Sequence, residues 1–80
     1  MSGILRAGVD SASALIIQGS PNVNINGRPC VRIGDVESNG HIMVQGSSTV
    51  FVNGIAVCRQ GDLDDLGYAG HSGSSDTFAG

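Results

Sequence analysis

Tryptophan and lysine are absent from the chain, and aromatic side chains are confined to one tyrosine and two phenylalanines. Its basic groups are four arginines against seven acids, a net charge of −3 at neutral pH. Nucleic acid is a poor partner for such a surface, because phosphate binding needs clustered Lys and Arg. The two cysteines, Cys30 and Cys58, are too few for a disulfide scaffold. No segment approaches the roughly 20 apolar residues of a membrane-spanning helix. The opening Met1-Ser2-Gly3-Ile4-Leu5-Arg6 has neither the basic start nor the long apolar core of a secretory leader. The expectation is therefore a protein made and assembled in a cytoplasm.

What is present is glycine and β-branched residues. There are 13 glycines in 80 residues, and the apolar set is mainly Val, Ile and Ala, which favours strands. Eighty residues make a single domain, 1–80. A domain of this size buries only about 60% of the surface its unfolded chain exposes. Ordering each residue costs roughly 1.5 kcal/mol, which so small a core barely offsets. A staple is expected: a metal, or a larger partner.

The sequence repeats with a period of 27 residues. Gln18-Gly19-Ser20-Pro21-Asn22-Val23-Asn24-Ile25-Asn26-Gly27 is followed by Gln45-Gly46-Ser47-Ser48-Thr49-Val50-Phe51-Val52-Asn53-Gly54. The match resumes at Arg32 and Arg59, Gly34 and Gly61, Asp35 and Asp62. A third, truncated copy begins at Gly73-Ser74-Ser75 and stops at Gly80, where the second copy has Asn53. A fixed period of this length marks one supersecondary unit used several times. Val23 and Ile25, like Val50 and Val52, alternate with other residues, so each pair shares one face of a strand. Asn-Gly then supplies a two-residue type I′ turn, which needs positive φ at both positions. Val31 and Ile33 alternate around Arg32, and Cys58 and Gln60 around Arg59, before Gly-Asp ends each return strand. The runs Ala14-Leu15-Ile16-Ile17 and His41-Ile42-Met43-Val44 read as short strands buried on more than one side. No stretch has a helical period. One hairpin alone would not be stable, so the copies must pack around a shared axis.

The unit Gly-Ser-Pro-Asn-Val-x-Ile-Asn-Gly-x-Pro-x-x-Arg-x-Gly-Asp at 19–35 resembles the PAAR repeat, named for a Pro-Ala-Ala-Arg strand. That strand reads Pro29-Cys30-Val31-Arg32 here and Ala56-Val57-Cys58-Arg59 in the second copy. The closing segment Gly73-Ser74-Ser75-Asp76-Thr77-Phe78-Ala79-Gly80 also resembles that family. The resemblance implies an all-β, cone-like domain of short hairpins with pseudo-threefold repeats. Such a domain caps a trimeric β-helical spike, one copy per trimer: the VgrG protein of type VI secretion or the central spike of a contractile phage tail. Its apex would meet and help pierce the target cell envelope. It would reside at a virion tail tip or the tip of a type VI apparatus. Secretion-system members often carry toxin or adaptor extensions; their lack in these 80 residues favours a phage-like tail. The rival readings are a generic β-repeat interaction module and a small metal-dependent enzyme.

Members of the family commonly hold a metal near the apex through His and Cys, and zinc or iron is the cofactor implied. The candidate ligands are His41 and His71. Each lies in a link between a Gly-Asp and the next Gly-Ser, and such links gather at one end of a threefold arrangement. As written the set is incomplete, so water, Asp10, Asp64 or a Cys would have to complete it. The positions that pair with them are unpromising: Ala14 is the counterpart of His41, and His71 aligns with Val44. Cys30 and Cys58 are offset by one in the repeat and should point opposite ways. This disfavours a disulfide or a shared metal; Cys58 reads as core filler and Cys30 as a partly exposed thiol. Asp35 and Asp62 read as turn caps rather than an acid–base pair. The acidic run Asp62-Leu63-Asp64-Asp65-Leu66 lacks calcium-loop spacing and reads as a solvated loop. No Ser or Cys has a His placed to activate it, so catalysis is not expected.

Overall fold

Six strands, each of two residues, are all the regular structure that the computed structural model contains; it describes residues 2–80, and none of them is helical. β1 (Ser2–Gly3), β2 (Asn24–Ile25), β3 (Arg28–Pro29), β4 (Phe51–Val52), β5 (Ile55–Ala56) and β6 (Phe78–Ala79) form three antiparallel pairs. β2 pairs with β3, with Ile25 opposite Arg28. β4 pairs with β5, with Val52 opposite Ile55. Their turns have positive φ at both central residues, 53° and 76° at Asn26-Gly27 and 55° and 75° at Asn53-Gly54. This is the type I′ geometry that Asn-Gly favours.

The third pair joins the chain ends. β6 lies against β1, with Ser2 opposite Ala79 and Gly3 opposite Phe78. The truncated third copy is thus completed by the N-terminal residues, and the molecule is a ring of three like units. Main-chain hydrogen bonds close that ring at its centre. Leu5 N donates to Cys58 O, Cys58 N to Val31 O and Val31 N to Leu5 O, at 3.0, 2.9 and 3.1 Å. A second threefold set joins Ser20 N to Cys30 O, Ser47 N to Val57 O and Ser74 N to Ile4 O. Strands too short to make a ladder still leave their buried backbone groups paired, as buried peptide groups require.

Two apolar layers stack along the axis. Ile4, Cys30, Val57 and Ala79 form one, with Val23, Ile25, Val50 and Val52 packed on it half-buried. Leu5, Ala7, Ile16, Val31, Met43 and Cys58 form the other. Cys30 and Cys58 belong to different layers, as their one-residue offset predicts, and both are free. The expectation of a partly exposed Cys30 is corrected, since it is fully buried; Ile4 and Val57 are its counterparts, and all three are buried in the same layer. The apolar runs also differ from expectation. Ile16 and Met43 are buried, but Leu15, Ile17, Ile42 and Val44 are exposed. These runs form isolated bridges, not strands covered on several sides. In the third unit the place of Ile16 and Met43 falls to Gly70. A Cβ there would lie 2.7 Å from Leu5 Cδ1, so Leu5 fills the space a larger residue would need.

The radius of gyration is 10.4 Å, below the roughly 12 Å expected for 80 residues. The extents of 25 × 23 × 21 Å make the isolated domain squat rather than drawn to a needle.

Candidate functional site

Arg6, Arg32 and Arg59 hold the three units in register. Each follows an axial residue, and each pairs with the carboxylate that ends its unit. Arg6 Nε lies 2.8 Å from Asp10, Arg32 Nε 3.5 Å from Asp35 and Arg59 Nη2 2.9 Å from Asp62. The same carboxylates accept the arginine backbone N–H at 2.7–2.8 Å. Asp35 and Asp62 are therefore the turn caps their Gly-Asp context predicts, and Asp10 is a third. Burial pushes the Asp10 carboxyl up, but hydrogen bonds from Arg6 and Ser72 outweigh it and hold it below the usual carboxylate range. Asp10 was hidden in the sequence because Val9 interrupts the pattern: Arg6-Ala7-Gly8-Val9-Asp10 replaces Arg-x-Gly-Asp.

One end of the axis carries the hairpins. Ser20, Ser47 and Ser74, all buried, accept N–H bonds from the residues two and three further on. Their hydroxyls reach the neighbouring unit: Ser20 Oγ to Asn53 Oδ1 and Ser74 Oγ to Asn26 Oδ1, both 2.7 Å, and Ser47 Oγ to the main-chain oxygen of Gly80, 2.7 Å. Inside this girdle lie Val23, Ile25, Val50 and Val52; Phe51 and Phe78 project at its margin, about half exposed.

The three links gather on one another at the other end. Ser38 N donates to Leu15 O, Asp65 N to Ile42 O and His71 N to Ser11 O. Ala12, Glu37 and Asp64 occupy corresponding places, and the two acids are buried. Ser13 Oγ bridges them, 2.9 Å from Glu37 Oε1 and 2.5 Å from Asp64 Oδ2. Asp64 is thus not part of a solvated loop, which corrects the reading of 62–66; Asp62 is buried as well, and only Asp65, Leu63 and Leu66 of that run are exposed. Sequence reasoning missed Glu37 and Ser13 altogether. The available signal was an acid recurring at 37 and 64, 27 residues apart.

His41 stands in the 36–42 link with Nδ1 2.9 Å from Asp65 Oδ1. His71 takes the place of Ile17 and Val44, beyond the 63–69 link, where its backbone N–H reaches Ser11 O. Among the described residues no three His, Cys, Asp or Glu side chains are placed to hold an ion. Asp10 is committed to Arg6 and Ser72, and Asp64 to Ser13 and the N–H groups of Leu66 and Tyr68. Burial first, then Asp35, push the Cys30 thiol up to about 11, and burial pushes Cys58 up too; both thiols lie within the apolar axial layers. The residues present do not fit the His/Cys metal that the resemblance implies.

The family model of the PAAR motif matches residues 9–64, and the chain belongs to that family. The matched stretch contains the two uninterrupted hairpins; the β1–β6 pair lies outside it. A comparison with curated proteins gave no match. Membership assigns a structural role at the spike tip of secretion or contractile machines.

Proposed function

We propose that this domain caps the blunt end of a trimeric β-helical spike, one copy per trimer, and forms the point that first meets the target envelope. The observation that carries the reading is the ring itself. One chain builds three like units around one axis, so a single copy presents three similar faces to a threefold partner. The hairpin end is the docking face. Its half-buried Val23, Ile25, Val50 and Val52 would lose their remaining exposure against a β-helix end. The contact would also cover two-residue strands whose outer edges are otherwise unpaired. Apolar area buried there stabilises the domain as well as the complex, since a ligand of the native state alone raises its stability.

Co-expression with the cognate spike protein tests this. The expected result is a complex of three spike chains to one cap, with a cap that melts higher in the complex than alone. A Val50→Asp/Val52→Asp double variant should fold, because both side chains are only half buried, yet fail to copurify with the spike. A free cap that is highly stable and never associates, or a variant that binds as wild type does, would overturn the assignment of the hairpin end.

A further inference from the structure

We propose, building on the docking reading above, that the end of the spike carries three identical apolar grooves, and that this chain fills two of them with Phe51 and Phe78 and sets Asn24 against the third. Asn24, Phe51 and Phe78 follow one another at the 27-residue period, so they hold the same place in the three units. The strand registers agree: Asn24 lies opposite Pro29, Phe51 opposite Ala56 and Phe78 opposite Gly3. Side chains alternate along a strand. Phe51 therefore lies on the face of β4 opposite Val50 and Val52, which pack on the axial layer, and Asn24 lies likewise opposite Val23 and Ile25. All three are exposed, the two rings by 57% and 47%. The stretch Val50-Phe51-Val52 is thus apolar on both faces, the pattern of a strand covered on both sides, yet the free domain covers only one. Ala56 and Gly3 are too small to cover the rings from within their own hairpins.

The groove that receives such a ring is uncharged. β1, β4, β5 and β6, the strands of the two ring-bearing pairs, contain no charged residue. Arg28 lies opposite Ile25, so it shares the valine face of its hairpin and not the outer one. Asp76 is turned to Asn26 Nδ2 and Ser74 Oγ. The number of rings points to a threefold partner. Phe51 and Phe78 belong to different units around the axis, so a second copy of this chain seated on one flank would cover one ring. A trimer end presents the same groove three times and receives both at once, next to the hairpin end already assigned to it. Aromatic anchors of this kind bury a large area with few side-chain rotations to fix, and they dominate many interfaces. Asn24 brings a small polar amide to the third groove and adds little apolar area there.

Affinity of the full chain for the immobilised cognate spike trimer tests this. Phe51→Ala and Phe78→Ala should each weaken binding about tenfold. The double variant should lose about the product of the two, since the rings enter separate grooves. Asn24→Phe and Asn24→Leu should both tighten binding, because they fill the third groove. The free variants should melt within a few degrees of wild type, because the replaced side chains are exposed; a loss of affinity is then not a loss of fold. Wild-type binding with either Phe→Ala variant, a loss confined to one ring, or weaker binding by both folded Asn24 variants would overturn the proposal and leave the docking reading standing. So would self-association of the free chain that Phe51→Ala abolishes while spike binding is unchanged, since the ring would then pack on a second copy. A wild-type chain that does not bind the trimer at all would overturn the docking reading and this proposal together.

Discussion

Two of the three units are continuous in the chain, and the third is cut. Units one and two close through Asn26-Gly27 and Asn53-Gly54, whereas β6 and β1 approach from opposite chain ends with no turn between them. Yet the cut unit reproduces the main bonds of the others. Arg6 finds Asp10 as Arg59 finds Asp62. Ser74 accepts the same pair of N–H groups as Ser20 and Ser47. Leu5 completes the axial ring with Val31 and Cys58. The turn therefore sets the register of a hairpin but is not what holds it in place. The axial ring and the Arg–Asp pairs hold each unit, and the covalent turn supplies connection and register.

The strongest test of that difference is to remove it. Ser2 and Ala79 are paired in register, so a head-to-tail bond would leave two residues, Gly80 and the one before Ser2, for the loop. The other hairpins use the same number. Closing the 80-residue chain into a ring removes about 4.5 kcal/mol of unfolded-chain entropy if the native state is not strained. The circular chain should gain up to that amount in denaturant unfolding. Reopening it between Asn53 and Gly54 should return it to the stability of the linear protein. If the permutant instead fails to fold, the units are not equivalent and the Asn53-Gly54 turn nucleates the structure.

A smaller effect separates the turns themselves. Gly54 has φ 75° with open space beside it, so a Val there meets backbone strain rather than a clash. Gly54→Val should cost about 2 kcal/mol. Gly80→Val, whose Cβ would approach only Thr49 Oγ1 at 3.4 Å, should cost less than about 0.5 kcal/mol, as exposed substitutions do. Equal losses at both sites would mean that the cut unit is as constrained as the closed ones.

The two closed units were legible in the sequence because their signals are local. Val23-x-Ile25-Asn26-Gly27 and Val50-x-Val52-Asn53-Gly54 carry alternation and turn chemistry side by side. The third was only half legible. Its Gly-Ser start was visible at 73–74, but its return strand sits 70 residues earlier in the chain, where a one-residue insertion disguises the Arg–Asp pair. The return strands, read as running to Gly-Asp, end at Pro29 and Ala56; beyond them residues meet in single bridges, because three units crowd one axis and each strand turns away at once. The link end was least legible. Glu37 and Asp64 look like surface acids in sequence, and only the convergence of three links buries them. His41 and His71 drew attention by residue type, whereas the buried polar centre there is built from Ser13, Glu37 and Asp64.

The finest distinction lies in the serine girdle. Ser20 and Ser74 donate to the side chains of Asn53 and Asn26, but Ser47 donates to the main chain of Gly80, because the cut unit has no Asn at that place. Each Ser→Ala should cost about 1 kcal/mol, since each removes an acceptor for two backbone N–H groups as well as the donated bond. The three losses should be similar in size and different in coupling. In a double-mutant cycle, Ser20→Ala with Asn53→Ala should show an interaction of roughly 0.5–1 kcal/mol, and so should Ser74→Ala with Asn26→Ala. Ser47→Ala with Gly80→Ala should be additive within about 0.3 kcal/mol, because the acceptor is a carbonyl that no side-chain change removes. Additivity at all three would mean that the inter-unit hydroxyl bonds contribute nothing measurable. The axial hydrogen bonds and Arg–Asp pairs would then hold the ring together alone.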